Sequence, residues 1–123
     1  MPRLLLVEDN EMNRQMIVGH LKWLGYEVFL AADGHQAVEL TEAVHPDLIL
    51  MDMGLPLLSG WEATAQIKAN PVLATIPIIA LTAYAMSDDY YRSMAVGCDA
   101  FETKPIDFDH LASTMERLLA GSR

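Results

Sequence analysis

Five short apolar blocks alternate with five longer segments of helical periodicity along this chain. The blocks are rich in Leu, Ile and Val and cover residues 4–7, 27–31, 48–51, 78–81 and, in a more polar form, 99–103. Apolar residues recur at helical spacing over about 11–24, 36–44, 59–69, 87–97 and from 107 onwards. Strands that alternate with helices in this way predict a parallel α/β sheet, because each parallel strand needs a crossover to return the chain.

The same pattern predicts how the sheet is wound. The first, third and fourth blocks are continuous apolar runs, as expected for strands covered by helices on both faces, whereas the second and fifth are more mixed and suit edge strands. Right-handed crossovers favour a doubly wound sheet, and 123 residues are too few for an eight-unit barrel of about 250 residues. We therefore predict one α/β domain over residues 1–123, with a doubly wound five-stranded parallel sheet and five helices.

Composition excludes several classes of function. Seventeen Asp and Glu against eight Lys and Arg give a net charge of −9, so phosphate backbones and anionic lipids should repel the chain. The single cysteine, Cys98, has no internal disulfide partner and fits a reducing compartment. No apolar run approaches the roughly 18 residues of a membrane span, and the run before Glu8 is too short for a signal peptide. We expect a soluble, cytoplasmic domain without direct nucleic-acid or membrane binding.

Polar residues follow four of the five predicted strands. Glu8 and Asp9 come after the first, Asp52 after the third, Thr82 after the fourth and Lys104 after the fifth. Because doubly wound sheets bind ligands beyond the carboxyl ends of their strands, these side chains are expected to share one rim. One acid after a strand is most often a helix cap or turn residue. Three carboxylates on one rim repel one another, which implies a bound cation or shifted protonation.

The residue types on this rim indicate metal-assisted phosphoryl transfer. Oxygen ligands favour a hard cation such as Mg²⁺, which uses few protein ligands and keeps several waters. Lys104 supplies a positive charge that could bind an anionic ligand. In phosphoryl transfer, most of the catalysis comes from positioning the reacting groups and neutralising their charge. A carboxylate is then the potential nucleophile, which would form an acyl phosphate.

The set resembles the receiver domain of two-component response regulators. The resemblance spans the chain from Leu4 to the final helix, with spacings close to those usual in that family. It rests on Glu8-Asp9, Asp52, Thr82 and Lys104, together with Pro56, Gly60 and Pro105. It implies a flavodoxin-like fold with strand order 2-1-3-4-5. The chemotaxis and cell-division receivers, which consist of a receiver alone, are the most similar in organisation.

The resemblance implies a phosphoacceptor and a metal site. Asp52 would accept a phosphoryl group from a phosphohistidine on a sensor histidine kinase or a histidine phosphotransfer protein. Glu8 and Asp9 would hold Mg²⁺ directly or through water, and Asp52 and the backbone carbonyl of Gly54 would complete the protein ligands.

The resemblance also implies a switch. Lys104 would pair with the phosphoryl oxygens, and its peptide bond to Pro105 would be cis. Thr82 would move to hydrogen-bond the phosphoryl group, and Phe101 would rotate inward when it does. A hydrogen bond to a charged group contributes about 1.5–3 kcal/mol, enough to move a two-state loop without rebuilding the fold. Altered contacts with an unknown downstream protein would carry the signal.

Three functions follow from these residues. The first is a phosphorylatable receiver that signals rather than acts as an enzyme on other substrates; because the chain ends just after the last predicted helix, we expect no output domain. The second is a phosphorylation-independent adaptor of the same fold. The third is an aspartyl-nucleophile phosphohydrolase, disfavoured because Gly54 stands where such enzymes usually carry a second aspartate. A relay intermediate, a terminal regulator and the receiver of a hybrid kinase remain open, as do the oligomeric state and the cognate kinase.

A few further residues carry expectations. The resemblance links the positions of Gly54 and Tyr84 to the rate of phosphoryl loss. Because Gly54 has no side chain to steer water and Tyr84 is bulky, we expect slow loss of a phosphoryl group from Asp52. Most methionines are expected in the core, with Met12 and Met16 as candidates for partner contact. The four histidines are expected at the surface without forming a metal cluster.

Overall fold

A computed structural model describes residues 1–83 and 87–121 of the chain. Strands and helices alternate throughout, as the apolar pattern predicts. The strands are β1 (Arg3–Val7), β2 (Glu27–Ala31), β3 (Leu48–Asp52), β4 (Ile78–Thr82) and β5 (Ala100–Thr103). The helices are α1 (Glu11–Trp23), α2 (Gly34–Val44), α3 (Gly60–Ala69), α4 (Ser87–Ala95) and α5 (Phe108–Gly121).

The five strands form one parallel sheet in the order β2-β1-β3-β4-β5. This confirms both the doubly wound fold and the strand order. From β1 the chain passes first to β2 on one side, and later strands are added on the other side of β1. The winding direction therefore reverses between β1 and β3, and the carboxyl ends of these two strands flank the crevice where ligands of such sheets bind.

Two apolar clusters, one on each face of the sheet, form the core. Alternate residues of β1 point to opposite faces, so that Leu5 joins one cluster and Leu4 the other. Helices α2 and α3 cover the first face, where Ile67 is fully buried, and α1 and α5 cover the second, where Leu21 and Met115 are fully buried. The central strands are consequently apolar on both sides, as their continuous runs predict.

Side-chain caps set where the helices next to the rim begin. The Asn10 side chain accepts a hydrogen bond from the N–H of Asn13 at the start of α1. Ser59 and Glu62 form a capping box at the start of α3. The predicted helix ends agree to within about two residues; α2, for example, begins at Gly34 because Asp33 caps it. The loops after β1 and β3 are thereby held in short, defined paths.

Two expectations about individual residue types are partly wrong. Among the described methionines, Met51, Met53 and Met115 are buried, and the two candidates for partner contact, Met12 and Met16, are exposed. Met1 and Met94 are exposed against expectation. His35, His45 and His110 are exposed as expected, whereas His20 is half-buried with its ring centroid 4.4 Å from that of Phe108. None of the helices in the described part of the chain is long and apolar enough to cross a membrane.

Candidate functional site

The carboxyl ends of β1, β3, β4 and β5 bring the predicted rim residues together. One carboxylate oxygen from each of Glu8, Asp9 and Asp52 lies within 4.8 Å of the others. The Lys104 ammonium contacts both Glu8 and Asp52. The backbone N–H of Lys104 donates to the carbonyl of Thr82 at 2.7 Å. All five residues thus belong to one site at the carboxyl ends of the strands, where the winding direction of the sheet reverses between β1 and β3.

Asp52 is the last residue of β3, and both of its carboxylate oxygens have partners. Oδ2 lies 3.1 Å from Lys104 Nζ, and Oδ1 accepts a hydrogen bond of 3.0 Å from the N–H of Gly54. Its side chain is 9% exposed. Behind it, a Cβ on Gly60 would collide with the backbone oxygen of Asp52. Two hydrogen-bond partners therefore hold the carboxylate, and the start of α3 packs closely against the backbone of Asp52.

Glu8 is fully buried, which is unusual for an acid. Its Oε1 lies 2.7 Å from Lys104 Nζ, and its Oε2 accepts a hydrogen bond of 3.3 Å from the N–H of Asn10. Burial raises the pKa of Glu8, the Lys104 ammonium opposes that rise, and the nearby Asp52 carboxylate adds to it. The carboxylate is thus held at the site by one cation and one backbone donor.

Lys104 provides the positive charge of the site. Burial alone would lower the pKa of Lys104, but the hydrogen bonds and negative charge of Glu8 and Asp52 outweigh it, so that pKa lies above its usual value. The ammonium therefore stays protonated at neutral pH. The peptide bond from Lys104 to Pro105 is cis.

The donor set fits a hard divalent cation. Glu8, Asp9 and Asp52 supply oxygen ligands only, and Asp9 is exposed, so that solvent can complete the coordination of an ion that keeps its waters. Gly54 lies next to this group, bonded to Asp52 through its N–H. Three carboxylates against one ammonium also leave net negative charge at the rim, which a cation would neutralise.

Thr82 and Phe101 lie on neighbouring strands beside the site. Thr82 is the last residue of β4 and is buried. Phe101 is half-buried in β5, where it packs against the core and meets the Tyr90 ring of α4 edge-on, with centroids 5.6 Å apart. An inward rotation of Phe101 would remove this contact. Tyr84, on which part of the expectation of slow phosphoryl loss rests, lies outside the described residues.

Sequence reasoning missed three contacts, one at the site and two between α3 and α4. The Arg14 guanidinium donates to the carbonyl of Glu8 at 3.3 Å. Across the α3–α4 boundary, Trp61 Nε1 donates to Ser93 Oγ at 3.1 Å, and the Arg92 guanidinium lies 4.0 Å from the centre of the Trp61 ring. No sequence motif marks these pairs. Arg14 lies in α1 and Glu8 in the preceding loop, whereas Trp61 and its two partners lie in different helices, so their contacts depend on how these segments pack.

Comparison with known proteins agrees with this geometry. The family model of the response regulator receiver domain matches residues 4–116. The polar-differentiation response regulator DivK of Brucella ovis is 40% identical over 118 residues, which cover 96% of each chain. The DivK protein of Brucella anthropi is 39% identical and covers 99% of this chain and 100% of its own.

Solved structures with the same fold include receivers of both kinases and chemotaxis proteins. The receiver domain of a sensor histidine kinase from Pseudomonas aeruginosa, described with a magnesium ion coordinated in its active-site cleft, is 40% identical with a TM-score of 0.91 over 97% of this chain and 98% of its own. A chemotaxis protein of Vibrio cholerae is 30% identical with a TM-score of 0.89 over 96% and 98%. The chain is therefore similar to receivers over nearly its whole length.

Proposed function

The chain belongs to the response regulator receiver domain family, and from that premise we propose that it is a phosphorylation-activated switch of a two-component phosphorelay. Residues 1–123 act as one receiver domain, and Asp52 is the phosphoacceptor. One observation carries this proposal: the Asp52 carboxylate lies 3.1 Å from the Lys104 ammonium and within a cluster of three carboxylates at the switch point of the sheet. That arrangement combines a nucleophile, a cation and a metal-ligand set.

The transfer step uses the ionised Asp52 carboxylate. One carboxylate oxygen attacks the phosphorus of a phosphohistidine, the P–N bond breaks, and the imidazole leaves with its electron pair and takes up a proton. The product is an aspartyl phosphate. The hydrogen bond from Gly54 to Oδ1 orients the carboxylate for this attack. The fixed position of Asp52 lowers the entropic part of the barrier.

Charge neutralisation at the site comes from two sources. A phosphoryl group adds about −1.5 to −2 charges to a rim that already carries three carboxylates. Glu8, Asp9, Asp52 and the backbone carbonyl of Gly54 would hold Mg²⁺, which supplies Lewis-acid stabilisation of the developing charge when bound. Lys104, placed between Glu8 and Asp52, pairs with the phosphoryl oxygens.

The switch acts through Thr82 and Phe101. The phosphoryl group offers the Thr82 hydroxyl a charged acceptor, and a hydrogen bond of about 1.5–3 kcal/mol shifts a two-state equilibrium by roughly 10- to 150-fold. Movement of Thr82 opens space toward β5, into which Phe101 rotates. Because Phe101 packs on Tyr90, this rotation changes the surface of α4 and β5.

The proposed partners follow from this chemistry. The donor is a phosphohistidine of a histidine kinase or a histidine phosphotransfer protein. The target is a protein that distinguishes the two states of the α4–β5 surface. The chain is then a signalling protein that assists its own phosphorylation and dephosphorylation rather than an enzyme with an external substrate. Since phosphohistidine donors are made from ATP, we assign the protein to the cytoplasm.

Intact mass after incubation with acetyl phosphate and Mg²⁺ tests the proposal. We expect one phosphoryl adduct on the wild-type chain, none on Asp52→Asn, and none when the metal is chelated. Asp109→Asn removes an exposed carboxylate of α5 and is the matched control, which should be phosphorylated like the wild type. Absence of an adduct with two different small phosphodonors would contradict the proposal and favour the adaptor. Steady turnover of diverse phosphoesters would favour the hydrolase.

A further inference from the structure

The outer face of α1 carries an exposed apolar stripe. Met12, Met16 and Trp23 are 77%, 56% and 80% exposed. They lie four and seven residues apart, so at 3.6 residues per turn they project from the same side of the helix. The core residues Ile17 and Leu21 occupy the opposite side. Large apolar side chains on one exposed stripe make it a candidate surface for contact with another molecule.

Gly19 lies on the same stripe, between Met16 and Trp23. A Cβ at Gly19 would meet no atom within 4 Å, so no close packing within the described chain requires a glycine here. Glycine inside a helix destabilises it relative to alanine. The notch that it leaves in the stripe does permit the close approach of a second helix. Contacts within the described chain therefore give no physical reason for a glycine at this position.

The stripe is complementary to itself. Met12, Met16, Gly19 and Trp23 are separated by four, three and four residues, an order that is symmetric about the midpoint of the stripe. If a second copy lies antiparallel, Met16 of each copy faces Gly19 of the other and fills the notch, while Met12 faces Trp23. A parallel pair would instead place notch against notch. The shape of the stripe thus favours an antiparallel second copy.

The charges beside the stripe favour the same arrangement. Glu11 and Lys22 are exposed and lie eleven residues apart, about three turns, so they share one flank of α1. In an antiparallel pair, equal flanks face each other, and Glu11 of each copy meets Lys22 of the other. With Arg14, α1 carries one acid and two bases in a chain of net charge −9. The surface of α1 therefore adds no further like-charge repulsion to that between two acidic chains.

We propose that the protein self-associates through α1, as a two-fold symmetric antiparallel pair of helices with Met16 of each copy at Gly19 of the other. The helix has 13 residues and is about 20 Å long, so the interface is small and the dimer is weak and reversible. Met12 follows Asp9 by three residues, so the dimer restricts access to the candidate site from the α1 side. This inference goes beyond phosphorylation and is tested on the unphosphorylated chain without metal.

Sedimentation equilibrium from micromolar to millimolar protein concentrations tests the proposal. We expect the wild-type mass to rise from 13.6 kDa toward twice that value. Trp23→Ala should weaken the dimer by at least about 30-fold, because the large aromatic contact with Met12 is lost twice, once in each copy. Glu11→Lys and Lys22→Glu should each weaken it about tenfold, since each turns two attractive pairs into two repulsive ones. The double variant Glu11→Lys/Lys22→Glu should bind almost as tightly as the wild type.

The control is Tyr91→Ala, which removes an exposed aromatic ring from α4 and should leave the dissociation constant unchanged. Thermal unfolding of each variant shows that α1 remains folded. A wild-type mass that stays at one chain over the whole range would overturn the proposal. So would a dimer that Tyr91→Ala abolishes and Trp23→Ala does not, since it would form through α4. Failure of the double charge reversal to restore binding would exclude the antiparallel pairing.

Discussion

The Lys104 ammonium lies 2.7 Å from Oε1 of Glu8, and this contact joins residues 96 positions apart in the chain. Glu8 is fully buried, so its carboxylate depends on this cation and on the N–H of Asn10. The same ammonium lies 3.1 Å from Asp52. A single positive charge therefore holds two of the three carboxylates of the site, which leaves the third, Asp9, facing solvent.

Mg²⁺ should stabilise the folded protein. The carboxylate cluster forms only in the folded state, so a cation bound there raises the free energy of unfolding, by about 2.7 kcal/mol at a free concentration one hundred times Kd. Asp9→Asn removes one ligand and should abolish most of the effect. Thermal unfolding with and without Mg²⁺ measures it, with Asp109→Asn as the control that should keep it. An equal Mg²⁺ response in Asp9→Asn would place the ion elsewhere.

Cys98 should make the protein less stable at alkaline pH. Burial raises the pKa of the Cys98 thiol to about 11. The folded state therefore holds the proton more tightly than the unfolded one. This contribution is fully present below about pH 9 and is lost as the pH rises through 11, by about 2–3 kcal/mol in total.

The stability difference between the wild type and Cys98→Ala, measured by urea unfolding from pH 7 to 11, isolates this effect because other titrating groups cancel. At pH 7 we expect the alanine variant to be less stable than the wild type, because it lacks the packing of the thiol. As the pH rises, the wild type should lose more stability than the alanine variant. Parallel pH profiles of the two proteins would contradict the assigned pKa.

Leu57 should be a site of backbone strain. It lies in the loop after β3 with φ of 66° and a side chain that is 83% exposed. The left-handed region costs a leucine about 1–2 kcal/mol, whereas asparagine adopts it more readily. Leu57→Asn should raise the free energy of unfolding by about 0.5–1 kcal/mol. Leu57→Ala lacks the short polar side chain with which asparagine hydrogen-bonds the nearby backbone in this region, so it should bring no such gain. Equal effects of the two changes in urea unfolding would count against strain.

Two helical glycines should respond to alanine in opposite ways. At Gly60 a Cβ would collide with the backbone of Asp52 and Met53, so Gly60→Ala should lower the free energy of unfolding by about 2–3 kcal/mol, as overpacking does. At Gly19 there is open space, and Gly19→Ala should raise the free energy of unfolding by about 0.5–1 kcal/mol. Urea unfolding at a low protein concentration measures both. A stable, fully phosphorylated Gly60→Ala protein would show that the loop after β3 can shift.

Trp61 and Ser93 should be coupled energetically. The Trp61 indole N–H donates to Ser93 Oγ, and Ser93 is fully buried. Trp61→Phe leaves that hydroxyl without its donor and should cost about 1–3 kcal/mol, beyond any loss of packing. In a double-mutant cycle with Ser93→Ala, the double variant should cost less than both single changes together. Strict additivity would mean that the hydrogen bond contributes nothing to holding α4 against α3.

Much of the fold was predictable because parallel α/β sheets leave a local signal. Central strands buried on both faces must be continuous apolar runs, and the runs beginning at Leu4, Leu48 and Ile78 mark β1, β3 and β4 to within a residue. The strand order came from the family resemblance. The helix ends were less certain, because caps such as Asp33 depend on the exact path of the preceding loop.

The expectations about methionines and histidines were partly wrong for a physical reason. Apolar character shows that a side chain can be buried, but it does not show whether another helix or strand covers that side chain in the folded protein. Met94 and Met115 both lie in predicted helices, yet Met115 is fully buried whereas Met94 is exposed at the surface. His20 is half-buried because Phe108, from the start of α5, packs on its ring.

The alternation of elements and the residues that end the strands can be read from the amino-acid order, because both depend on neighbours in the chain and on the period of the backbone. The burial of Glu8, the place of Lys104 between Glu8 and Asp52 and the packing of Phe101 on Tyr90 arise only when the chain is folded. These relationships depend on the distances between strand ends far apart in sequence. Such distances are set by the packing of the whole sheet, and they leave no local pattern in the amino-acid sequence.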